Sequence, residues 1–70
     1  MSISCIFPKT AHVETIQKTV LNMDNIVDIK LKDAYDGPQI ADNSISLTFE
    51  VTALSNEDLE NVKKLFTGFG

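Results

Sequence analysis

Ser44-Ile45-Ser46-Leu47-Thr48-Phe49-Glu50-Val51-Thr52 alternates polar and apolar residues without a break. Successive side chains of an extended chain point to opposite faces, so a period of two marks a strand with one buried and one wet face. Ile45, Leu47, Phe49 and Val51 are therefore expected in the core, with Ser44, Ser46, Thr48, Glu50 and Thr52 outward. A sheet covered on one side only is normally antiparallel.

Working towards the N-terminus, Asp36-Gly37-Pro38 is turn chemistry inside a long hairpin connection over residues 33–43, which Tyr35 and Ile40 should pin down. Before it, residues 26–35 return to period two. Val27, Ile29 and Leu31 are expected on one face, and Asp28, Lys30 and Lys32 on the other. Between residues 11 and 23 the period changes to three and four, through Val13, Ile16, Val20 and Met23, which predicts an amphipathic helix with Thr10 as N-cap. Residues 2–7 read as a strand with Ile3, Cys5 and Phe7 on one face. Ile6 on the other face suggests a strand flanked on both sides. Pro8 closes it.

Towards the C-terminus a second helix is predicted over residues 56–67. Ser55 is the N-cap, Asp58 three residues later approximates a capping box, and Glu57 and Asp58 face the positive end of the helix dipole. Leu54 and Leu59 stand at the positions of a hydrophobic staple. Leu59, Val62, Leu65 and Phe66 form the buried stripe, and Gly68 is expected to end the helix in a left-handed conformation. The order strand, helix, strand, strand, helix gives the α+β class. It is that of a ferredoxin-like β-α-β-β-α(-β) sandwich, with two helices on one face of an antiparallel sheet and the last strand absent. In that architecture the missing strand would pair beside the first, so residues 2–7 become an edge open to another chain.

The chain has 70 residues, 43% of them hydrophobic, which supports one domain over residues 1–70 and one core. No apolar stretch approaches the roughly 20 residues that span a bilayer. Met1–Phe7 has no basic start and Pro8-Lys9 follows, so neither a leader nor a membrane partner is expected. Six lysines, no arginine and ten acidic residues give a net charge of −4, the wrong sign for a free-standing nucleic-acid binder, so any RNA contact must be local. The lone Cys5 cannot form an internal disulfide, which points to a reducing, cytoplasmic setting.

Catalytic chemistry is poorly provided for. His12 is the only histidine and reads as a solvated first-turn residue, and Cys5 reads as a small core residue. Neither zinc-ligand spacing nor a phosphate-cradling glycine motif is present. Asp24, Asp28, Asp33, Asp36 and Asp42 do not follow the ligand spacing of a calcium loop. No cofactor is implied. What remains is the outer sheet face, with Ser4, Asp28, Lys30, Lys32, Ser46, Thr48 and Glu50. An ordinary solvated face accounts for these residues, and Lys30, Lys32, Ser46 and Thr48 are also a set that could hold phosphate and ribose of a folded RNA. The two lysines, two residue rises apart on a regular strand, would stand about 7 Å apart.

Three segments together carry a family resemblance: Leu31-Lys32-Asp33-Ala34-Tyr35-Asp36-Gly37, then Ser44-Ile45-Ser46-Leu47-Thr48-Phe49, then Leu54-Ser55-Asn56-Glu57-Asp58-Leu59. In order and spacing they resemble the ferredoxin-fold anticodon-binding domain at the C-terminus of phenylalanyl-tRNA synthetases, and the likeness extends to the Ile3-Ser4-Cys5-Ile6-Phe7-Pro8 start. The resemblance implies a non-catalytic module, a piece of a larger chain. Its partners would be the anticodon stem-loop of phenylalanine tRNA and the rest of the synthetase. Three departures stand out: Thr52-Ala53 lacks the family's arginine before the second helix, Ser2 replaces an acidic residue, and the final strand is missing. Two other readings share the element order. An ACT-like ligand-binding module would need a glycine turn where Pro8-Lys9 stands, and a structural docking domain would use the open strand edge. An acylphosphatase-like enzyme lacks its phosphate-holding arginine here.

Overall fold

The computed structural model describes Met1–Phe69 as five elements in the order β1 (Ser2–Pro8), α1 (Val13–Leu21), β2 (Ile26–Tyr35), β3 (Ser44–Ala53) and α2 (Asn56–Phe69). The three strands form one antiparallel sheet in the order β1-β3-β2. The class is therefore α+β, and the strand order is compatible with a ferredoxin-like arrangement. β3 is the central strand, which corrects the expectation that β1 is flanked on both sides. Ile6, the residue behind that expectation, is 46% exposed on the face away from the helices.

The core follows the alternation of β3. Leu47, Phe49 and Val51 are buried, and Ile3 and Phe7 from β1 and Ile29 from β2 lie on the same face. Helix α1 packs on β2 and adds Ile16 and Val20, while α2 packs on β1 and β3 and adds Val62 and Phe66. The Phe7 ring meets Phe49 and Phe66 edge to face, with centroids 6.2 and 5.4 Å apart, a geometry that matches positive ring edges to negative ring faces. Cys5 is half-buried against this cluster.

Strand β2 departs from simple alternation. Its register against β3 shifts between Ile26 and Asp28 and again between Leu31 and Asp33, so Val27 and Lys32 are the extra residues of two bulges. Val27 is therefore 59% exposed instead of sharing the buried face of Ile29, and Leu31, opposite Phe49, is only partly covered.

The helix ends also differ from the reading of the sequence. The Ala11 amide donates to the Pro8 carbonyl and closes a turn, so α1 begins at Val13 with His12, not Thr10, at the N-cap. No side chain caps that end. Ser55 does cap α2: its hydroxyl accepts from the Asp58 amide at 3.4 Å and donates to the Asp58 carboxylate at 2.7 Å. The staple does not form, because Leu54 is 72% exposed. Gly68 stays helical and no glycine among the described residues has positive φ. The helix runs on to Phe69, whose ring packs at 5.8 Å on Phe7, and that contact outweighs the tendency to stop at Gly68.

Candidate functional site

Both helices lie on one face of the sheet, so the other face is open. Its residues fall into cross-strand rows fixed by register: Ser2, Glu50 and Lys30; then Ser4, Thr48 and Asp33; then Ile6, Ser46 and Tyr35. Asp28 and Thr52 pair beyond the first row. All four sequence-nominated residues, Lys30, Lys32, Ser46 and Thr48, thus lie on one surface, with both lysines exposed.

The bulge changes how the lysines are used. Lys30 sits in regular register opposite Glu50, whereas Lys32 is the bulged residue and its Nζ reaches across β3 to the Ser2 hydroxyl at 3.3 Å. They are not two equivalent cations on a regular strand, as simple alternation predicts. Hydroxyls line the centre, where the Ser4 and Thr48 oxygens are 2.8 Å apart.

Glu50 stands in the middle of this positive group. Its carboxylate accepts from the Ser2 hydroxyl at 2.6 Å and from the amino terminus at 3.1 Å. The Ser2 hydroxyl first, then the amino terminus, hold the Glu50 carboxyl below its ordinary value, with a smaller contribution from Lys32. It is therefore ionised at neutral pH and offsets part of the lysine charge. Asp33 adds a negative charge in the middle row, beside Thr48, and Asp28 another beyond the first row.

Tyr35 is expected from the sequence as a loop anchor, and in the structure it has a second property. Its hydroxyl donates to Gln39 Oε1 at 2.6 Å, which fixes the ring over the Asp36–Asn43 loop, yet the residue is 46% exposed at the end of the open face, in the same row as Ile6. The signal available in the sequence is the Tyr35-Asp36-Gly37 spacing: a side chain at residue 37 would collide with the ring, so the glycine and tyrosine belong together. The loop is also tied to β1 by the Lys9–Asp36 ion pair at 3.1 Å and by the Lys9 amide to the Asn43 carbonyl at 2.9 Å.

Among the described residues no group of three or more His, Cys, Asp or Glu is arranged to hold a metal, and no helix is long and apolar enough to cross a membrane. His12 is exposed at the start of α1, and Cys5 lies on the opposite side of the sheet from Lys30 and Lys32. Comparison of the chain with family models, curated proteins and solved structures gives no match.

Proposed function

We propose that this domain is a non-catalytic RNA-recognition module that uses its open sheet face, and that its target is the anticodon stem-loop of phenylalanine tRNA. The observation that carries the reading is the gathering of Lys30, Lys32, the hydroxyls of Ser4, Ser46 and Thr48, and an exposed, fixed tyrosine on a surface that no helix covers. Ammonium groups meet phosphates, hydroxyls meet riboses, and an aromatic face suits an unstacked loop base. The family resemblance supplies the choice of RNA, and the strand order supports reading the fold as a ferredoxin-like sandwich without its fourth strand. Within a larger synthetase, catalysis belongs to other modules.

The acidic balance bounds the strength of this contact. With two lysines on the face and Glu50 between them, no more than about two or three counterions are released on binding, so the salt dependence is shallow. The test is a titration of the phenylalanine anticodon stem-loop against the domain at several salt concentrations, for the parent sequence and for Lys30→Glu with Lys32→Glu. Loss of binding in the double variant is expected. Unchanged binding would remove the sheet face from the interaction.

A second reading, a protein-docking domain, rests on a different part of the molecule, the free edge of β1.

A further inference from the structure

The sheet has two edges, and they are built differently. The β2 edge is interrupted by bulges at Val27 and Lys32 and carries Asp28, Lys30, Lys32 and Asp33, all devices that discourage another strand from pairing. The β1 edge has none of them between Ser2 and Phe7: its register against β3 is unbroken and the stretch contains no charged residue.

The hydrogen-bonding pattern identifies which groups that edge offers. Met1 and Val51 exchange both backbone bonds, at 2.8 and 2.9 Å, and the Lys9 amide bonds the Asn43 carbonyl in the same register. Antiparallel pairs alternate between bonded and non-bonded, so residues 1, 3, 5, 7 and 9 direct their backbone groups towards β3. Ser2, Ser4 and Ile6 therefore point theirs outward. Pro8 ends the series, because it has no amide and its carbonyl is taken by Ala11.

We infer that this edge joins a second copy of the same chain, antiparallel, about a two-fold axis at Ser4. In that register Ser4 faces Ser4 of the second copy, and Ser2 and Ile6 of each chain exchange bonds with Ile6 and Ser2 of the other. All six outward amides and all six outward carbonyls of those residues are used if counted over both edges, and neither Pro8 is asked to donate. A shift by two residues towards Pro8 sets Ser2 against Pro8, which has no amide and whose carbonyl is already taken by Ala11. On the helix side, Ile3 comes opposite Cys5 of the second copy, an apolar pair.

The layer above agrees with this choice. A groove of about 330 Å³ runs beside the edge, lined by Met1, Ile3 and Cys5 below and by Lys63, Phe66 and Thr67 of α2 above. Helix α2 packs on β1 and β3, so pairing two β1 edges brings the two α2 helices to the same side of the joint sheet, one on each side of the seam. The two grooves then merge and close. The product is a six-stranded sheet whose open face remains free, so this inference does not depend on the RNA reading.

The mass in solution tests it first, by light scattering or sedimentation across a dilution series. Twice the 7.7 kDa of one chain is expected at the concentrated end. Ser4→Lys brings two like charges together at the axis and should raise the dimer dissociation constant by more than about tenfold, with the fold kept, since Ser4 is exposed. In a Cys5→Ser background, Ser4→Cys should crosslink under mild oxidation, because Cα atoms of a bonded antiparallel pair lie about 5.5 Å apart, within disulfide reach. Ser2→Cys in that background should not. A single-chain mass at every concentration, an open-ended series of larger assemblies, or a dimer that Ser4→Cys fails to crosslink would overturn the inference.

Discussion

The ring of Tyr35 occupies the space that a side chain at Gly37 would fill. With the bond from the Tyr35 hydroxyl to Gln39, this makes Tyr35, Gly37 and Gln39 one unit that presents the ring at the end of the open face.

Gly37→Ala should therefore turn the Tyr35 ring away and break its bond to Gln39 with little loss of stability, less than about 1 kcal/mol, because the displaced group is the outer end of an exposed side chain. Tyr35 is the single tyrosine in a chain without tryptophan, so its fluorescence and ring NMR signals read the change directly. Unchanged ring signals in the variant would refute the coupling.

Phe49→Ala should lose about 3 to 5 kcal/mol through lost burial and a cavity at the centre of the phenylalanine cluster. A domain this small does not survive that loss at ambient temperature. Ser55→Ala should cost about 1 kcal/mol through the cap of α2. Leu54→Ala, on a residue 72% exposed, should be nearly neutral. Denaturant unfolding should give that ranking, and a large loss at Leu54 would show that the staple forms after all.

Glu50 makes stability depend on pH in a stated direction. Its carboxyl is held below its ordinary value of 4.5, chiefly by Ser2. The associated stabilisation is fully present above that value and is lost as pH falls through the lowered one. Ser2→Ala should move the Glu50 titration, followed by carboxyl NMR, back towards 4.5. A Glu50 midpoint that stays where it was in that variant would exclude the hydroxyl as the main cause.

Glu50→Gln should tighten RNA binding a few-fold, since it removes an ionised group from between Lys30 and Lys32. The gain should shrink as salt rises. Weaker binding would mean that Glu50 itself contacts the RNA or organises the face through Ser2.

The legible parts of the fold were those written in a clean period. β3 alternates over its whole length, and burial of Leu47, Phe49 and Val51 follows from that alone. β2 was legible as a strand but not in detail, because a bulge inserts a residue without leaving a compositional mark: Val27 looks like a core residue and is exposed. The start of α1 is not legible, because Thr10 is a better capping residue than His12, and only the bond from Ala11 to Pro8 shows that the chain is still turning there. Gly68 carried a stop signal that the distant Phe7 overrides through Phe69. At the site, alternation brought Lys30, Ser46 and Thr48 to the outer face, while the reach of Lys32 to Ser2 and the placement of Glu50 beside Ser2 are products of cross-strand register, which no single segment encodes.

The most direct measurement of the central claim is an amide and side-chain NMR map of the domain as the phenylalanine anticodon stem-loop is added. If the open face binds, signals of Lys30, Lys32, Tyr35, Ser46 and Thr48 move together along one saturating curve, while those of the helix-side residues Ile16, Val20 and Val62 stay in place. Shifts confined to α1 and α2, or none on the open face at saturating RNA, would contradict it.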